Sequence, residues 1–190
     1  MANRNGQGFG LIPAGTLGGS PSIQGQGKYK FDAGHSTTIY NGECVKISSG
    51  YVVGGNGSAA NIVGVLNGIF YNDASTLKPT FANFYKATIT PANSEDTTAF
   101  VIDDPFQQYV VAADAATGVA TFLETYDMNS SAGSDTTGKS SSTLAIGTTS
   151  ADGKQFRMLR SAEDPENEDA TAVRHSVIVV SNLNSFNGHN

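Results

Sequence analysis

The side chains best able to do chemistry are His35, His175 and His189, the single cysteine Cys44, and the acidic runs Asp103-Asp104 and Glu163-Asp164-Pro165-Glu166-Asn167-Glu168-Asp169. Imidazoles that share a metal ion occur at short, regular spacings. The three histidines are far apart in the chain and read as surface or strand-face residues. A lone thiol forms neither an intramolecular disulfide nor a cysteine-based zinc site. Cys44 sits in a short run with Val45 and Ile47 and reads as a small core residue rather than a nucleophile. The five carboxylates between Glu163 and Asp169 could offer oxygen ligands to calcium. They lack the glycine and the spacing of an EF-hand loop, so a solvated acidic turn is the expectation. Asp103-Asp104 imitates a glycosidase pair only in composition, because adjacent strand residues point to opposite faces; it reads as a turn before Pro105.

Motif searches end the same way. Gly55-Asn56-Gly57-Ser58-Ala59 approaches a nucleophile elbow but has the wrong spacing and no helix after it. Neither the Walker pattern nor the dinucleotide fingerprint occurs, and with 22 glycines partial matches arise by chance. Asn56-Gly57-Ser58 and Asn129-Ser130-Ser131 match the glycosylation sequon, which has no meaning without a secretory signal. No catalytic residue, cofactor or metal site is expected.

The elements that would position these residues are strands. Only 38% of the 190 residues are hydrophobic and 15% charged, the rest being rich in Gly, Ser, Thr and Asn. That is a composition of short strands and many turns, and it excludes a helical bundle. Strands are expected at Thr37 to Tyr40, Cys44 to Ile47, Tyr51 to Val53, Ile62 to Tyr71, Phe84 to Ile89, Thr98 to Ile102, Gln107 to Ala113, Val119 to Thr125, Leu144 to Thr148, Lys154 to Leu159 and Val173 to Val180. Ile62 to Tyr71 is apolar on both faces and reads as a central strand with a bend or bulge at Gly64 or Gly68. Ala151-Asp152-Gly153 reads as a hairpin connection. The whole is an all-β fold, a compact β-barrel or β-sandwich of about ten short strands. Residues 29–190 form its body, with 128–142, nearly all Ser, Gly, Thr, Asp and Asn, as a mobile surface loop.

Residues 1–28 read differently. Eight glycines there disfavour regular structure, yet Phe9, Leu11, Ile12 and Pro13 form an apolar patch that a solvated tail would not need. The segment is expected to be a flexible arm that orders against another subunit. Charge divides at nearly the same place: residues 1–31 hold Arg4, Lys28 and Lys30 and no acid, and all 17 acids lie beyond. An acidic body repels phosphate backbones, so nucleic acid is not an expected partner. No stretch is long and apolar enough to cross a bilayer, and the first 20 residues lack the apolar core of a signal peptide. No membrane partner is expected, and the protein is expected to remain in the compartment of synthesis unless assembled into a particle.

The opening Met1-Ala2-Asn3-Arg4-Asn5-Gly6, with Gly8-Phe9-Gly10-Leu11-Ile12-Pro13, resembles the start of small proteins encoded near the capsid genes of tailed bacteriophages. Ile39 to Lys46 (Ile-Tyr-Asn-Gly-Glu-Cys-Val-Lys), Ile62 to Tyr71 and Lys78-Pro79-Thr80-Phe81 are similar to the same group. The likeness spans the arm and about residues 36–110. It implies a head decoration, or cement, protein made in the host cytoplasm and located on the exterior of the virion head. Its partner would be the major capsid protein, whose subunits it would bridge, with Arg4, Phe9, Leu11, Ile12 and Pro13 as the capsid-binding residues of the arm. A homo-oligomer is implied, a trimer by analogy with shell symmetry and a dimer as the alternative. The competing function is a carbohydrate-binding or host-adhesion module, although the chain has no Trp to serve as a sugar platform. An enzyme ranks third, since no convergent set of titrating groups emerges from spacing.

Overall fold

Short β-branched and aromatic runs separated by turn residues bury well on a pleated surface. The computed structural model describes residues 3–19, 25–57, 61–129, 133–150 and 153–186, and in them twelve strands form. These are β1 (Ile12–Thr16), β2 (Gly27–Phe31), β3 (Cys44–Ser48), β4 (Tyr51–Gly54), β5 (Gly64–Asn72), β6 (Pro79–Ala82), β7 (Thr97–Ile102), β8 (Gln107–Ala112), β9 (Thr125–Met128), β10 (Leu144–Ser150), β11 (Phe156–Ser161) and β12 (Ser176–Ser181). One antiparallel sheet has the order β1-β8-β12-β11-β9-β10; the other has β2-β7-β5-β3-β4, with β6 also paired to β5. Among the described residues, two short 3₁₀ turns at Ala92–Ser94 and Val119–Thr121 are the only helical pieces. The chain is therefore all-β, and of the two expected architectures it adopts the sandwich, not the closed barrel.

Along β3, β5 and β7 the second sheet carries core on both faces, and the alternation of these strands shows how. Cys44, Val65 and Ile102 point to the first sheet, meeting Tyr109, Val111, Tyr126, Phe156 and Val177. Their chain neighbours Val45, Leu66 and Val101 point the other way, into a second core with Phe31, Val52 and Ile69. Strands β2 and β4 curl towards each other around that core without forming a ladder. Ile39 and Tyr85 close it: each donates its N–H to the other's carbonyl at 2.9 Å, and the Tyr85 ring lies 4.4 Å from that of Phe31. Thr37 to Tyr40 and Phe84 to Ile89, expected as strands, are thus reduced to this single bridge.

Other expectations shift for equally local reasons. The register of β5 against β7 slips between Leu66 and Gly68, which is the anticipated bulge. Val119 to Thr125 is not one strand: a 3₁₀ turn precedes β9, and the Tyr126 hydroxyl donates to Thr121 O at 3.0 Å. Strands β10 and β11 do not form a hairpin, because β9 lies between them and pairs with both; residues 151 and 152 of the expected connection lie outside the described residues. Nor is 128–142 loose over its described length. Met128 belongs to β9, Ser140 and Ser142 are buried, and Ser140 N donates to Asn41 O at 2.9 Å.

The boundary expected at residue 28 is also corrected. It cuts through β2, which pairs along its length with β7, while β1 pairs with β8 at the margin of the first sheet. Leu11 is 2% exposed and part of the main core. The leader, over its described residues, is built into the sandwich of its own chain, because that sandwich supplies both an open sheet edge and apolar surface for it; residues 1, 2 and 20–24 lie outside the described residues.

Candidate functional site

The five residues expected to bind a capsid are all placed by the path of the leader across its own body. Asn3 starts the path on the acidic loop: its Nδ2 donates to Asp169 O and Val173 O at 3.0 Å each, and its Oδ1 accepts from Asp169 N at 3.0 Å. Arg4 N donates to Glu166 O at 3.2 Å, and its guanidinium pairs with the exposed Glu166 carboxylate. Asn5 N donates to Asn167 Oδ1 at 2.7 Å. This loop is the acidic run singled out above, and Asp164 and Asp169 use their carboxylates to cap its turns through Glu166 N and Thr171 N. Hydrogen bonds to Thr171 hold the Asp169 carboxyl down at about 2. Among the described residues no group of three or more His, Cys, Asp or Glu is arranged to hold a metal.

Two glycines then let the leader pass close to the body. A Cβ on Gly8 would lie 2.1 Å from Ser141 O, and one on Gly10 would lie 2.8 Å from Gly42 O, where φ is +73°. Gly10 N donates to Ser142 O at 3.1 Å and Leu11 N to Gly42 O at 2.8 Å. Leu11 is therefore packed into the main core at the floor of the leader rather than displayed on a free arm. Ile12 is 47% exposed, and Phe9 and Pro13 are half-buried. With Leu11, Asn41, Gly42 and Lys139 they line a groove of about 160 Å³, room for one large side chain. Pro13 suits this position, since a proline is tolerated on an edge strand.

Beneath the groove lies a buried polar chain that the sequence did not reveal. Glu43, 8% exposed, is bonded by the Ser140 hydroxyl and the Tyr40 N–H, yet burial pushes its carboxyl up to about 7. The Ser140 and Ser142 hydroxyl oxygens share a hydrogen bond at 2.8 Å; Asn56 Nδ2 donates to Ser142 Oγ at 2.7 Å; the Cys44 thiol donates to Asn56 Oδ1 at 2.8 Å. Burial pushes the Cys44 thiol well above its ordinary value, so it packs as a thiol and is no thiolate nucleophile.

His35 and His175 are not brought together, and His189 lies outside the described residues. His35 packs between Phe31 and Tyr85, at 5.3 and 5.1 Å between ring centroids. His175 is 1% exposed, with Nδ1 2.6 Å from Thr117 Oγ1 and Nε2 3.0 Å from Ser161 Oγ. Ser161-His175 imitates a nucleophile and base, but the orienting group is a hydroxyl rather than a carboxylate and no substrate atom reaches a covered imidazole. It joins β11 to the start of β12. Burial lowers the pKa of both histidines. Asp103 accepts from the Tyr29 hydroxyl at 2.7 Å and Asp104 from Phe106 N at 2.8 Å, the turn expected there. Among the described residues no helix is long and apolar enough to cross a membrane. Compared with family models, with curated proteins and with solved structures, the chain matches none.

Proposed function

We propose that the chain is a structural virion protein that binds the outside of a tailed-phage head and bridges its major capsid subunits, as a homo-oligomer. The reading begins from the resemblance of the leader and of residues 39–46 and 62–71. The observation that carries it is the groove of about 160 Å³ at the margin strand β1, lined by Phe9, Ile12 and Pro13. A margin strand can accept a further strand, and an apolar groove beside it can take the partner's anchoring side chain. Small grooves filled by one apolar anchor dominate the energetics of many interfaces. In this form the leader acts as a fixed adhesive edge, not as an arm that orders on arrival, so less entropy is lost on binding.

Mixing the purified chain with undecorated capsids tests this. Decoration is expected with the parent chain and is expected to be lost in Ile12→Asp, whose folding should be unaffected because Ile12 is already half exposed. Full occupancy by Ile12→Asp, or absence of the chain from purified particles, would overturn the reading.

A further inference from the structure

A second apolar surface lies where the first sheet stops covering the second. In the register of β5, β6 and β7, Phe70 is opposite Phe81 and Thr98, and Gly68 is opposite Phe100. These residues continue the face that carries Val65 and Ile102 into the main core, yet Phe81 is 73% exposed. The Phe81 ring centroid is 4.8 Å from that of Phe70 and 6.1 Å from that of Phe100, the latter nearly parallel at 14°. Beside them a cleft of about 340 Å³ is lined by Gln26, Asn67, Phe81 and Phe100.

Charge surrounds this ledge on one side. Strand β2 sets Lys28 opposite Phe100 and Lys30 opposite Thr98, both lysines exposed. The acids that end β5 and β7 are engaged locally, Asp73 with the Ser75 and Thr76 N–H groups and Asp103 with the Tyr29 hydroxyl. An apolar centre with a cationic rim fits a partner surface that is apolar and acidic. The chain itself supplies that chemistry: residues beyond 31 hold every one of its 17 acids, and Val173, 57% exposed, shares a loop with exposed Glu168 and with exposed Glu163 and Glu166, the latter two also paired with Arg160 and Arg4.

We infer that the Phe70-Phe81-Phe100 ledge is where one copy of this chain receives the acidic surface of a second copy, head to tail. A two-fold contact of ledge on ledge would set Lys28 and Lys30 against their own counterparts, so the contact joins two different surfaces and builds a ring when the rotation closes. Phenylalanine offers a saccharide no hydrogen-bonding handle, which favours a dry protein contact over a sugar platform. The inference takes from the proposed function only its self-association.

The test uses the full chain without capsids. Sedimentation velocity is expected to show an oligomer whose dissociation constant rises about tenfold or more in Phe81→Asp, and also in the double variant Lys28→Glu/Lys30→Glu. Phe81→Ser serves as the check where the aspartate perturbs folding, with near-ultraviolet circular dichroism following the fold. Carbodiimide coupling of mixed heavy- and light-isotope chains should join Lys28 or Lys30 to a carboxylate of another copy. A monomeric chain, an oligomer unmoved by these variants, or glycan binding lost in Phe81→Asp by a monomer would overturn the inference. A monomer that still decorates capsids removes the ledge contact and the self-association but leaves capsid binding, whereas an oligomer that fails to decorate removes the capsid reading alone.

Discussion

The leader and the phenylalanine ledge both set large apolar side chains at the margin of a sheet, and they end in opposite states. Leu11 sinks to 2% exposure because Gly8 and Gly10 let the backbone lie directly on Ser141 and Gly42. Phe81 stays 73% exposed because nothing in the first sheet extends over β6. An apolar residue next to glycines therefore says little about whether a chain covers it with its own body. What decides is whether a facing element reaches that far, and this difference separates residues that hold the fold from residues left for a partner.

Perturbing the two regions should separate them sharply. The largest effect of a single substitution is expected from Leu11→Ala, which should lower unfolding free energy by about 3 kcal/mol, as for other buried leucines. Urea denaturation measures it, and a loss below about 1 kcal/mol would place Leu11 outside the core. Deleting residues 2–28 removes β1 as well as Leu11 and should leave no cooperative unfolding transition.

Next comes the carboxyl under the leader. Glu43 is raised from an ordinary 4.5 to about 7, so the folded state holds its proton more tightly than the unfolded chain does. Its favourable contribution is complete below pH 4.5 and is lost as pH rises through 7. Glu43→Gln should therefore stabilise the protein by about 2 kcal/mol at pH 8 and change little at pH 4. His35 and His175 act with the opposite sign: both are lowered by burial, so their contribution is complete above 6.5 and is lost as pH falls below it. A thermal-unfolding series should show Glu43→Gln keeping only the acid-side loss; an unchanged alkaline limb would remove Glu43 as its origin.

Gly10→Ala tests the close approach itself, with a positive φ and Gly42 O at 2.8 Å. It should cost about 1–2 kcal/mol of stability, and a neutral result would mean the leader lies less tightly than drawn. The smallest change is expected at the ledge, where Phe81→Ser should move stability by about 0.5 kcal/mol or less while altering self-association. A core-sized loss there would erase the distinction between the two regions.

Much of the architecture was legible in the residue order. Val173 to Val180, rich in β-branched residues, was legible as a strand although it begins only at Ser176, and Ile62 to Tyr71 was legible as central, because only a sheet covered on both faces buries consecutive apolar residues. Cys44 was legible as core for the same reason. Asp103-Asp104 before Pro105 was legible as a turn, since Asp104 bonds to Phe106 and Gln107, although the Asp103 bond to Tyr29 across the sheet was not. Pairing was not: Ala151-Asp152-Gly153 has hairpin chemistry, yet β9 occupies the place between the strands it joins, and nothing local records a competitor from 25 residues away. Of the apolar leader residues, the structure exposes Ile12, half-buries Pro13 and sinks Leu11 into the core, a difference their types did not record, and the polar chain of Glu43, Ser140, Ser142 and Asn56 was missed. Asn3 and Asn5, which pin the leader to the acidic loop, carried no signal beyond being amides.

Composition and alternation by themselves determined that this chain is all-β, that stretches such as Ile62 to Tyr71 and Gln107 to Ala113 hold strands, and that its charge is divided between a basic start and an acidic remainder. Those properties come from side-chain type and the two-residue period of a strand, both readable one segment at a time. Tertiary structure alone decided that the leader belongs to the sandwich, that Glu43 is buried, and that Phe70, Phe81 and Phe100 meet on an uncovered face. Each of these depends on which segments lie opposite one another. Cross-strand register joins residues far apart in the chain, so burial and adjacency there are properties of the pair and not of either segment.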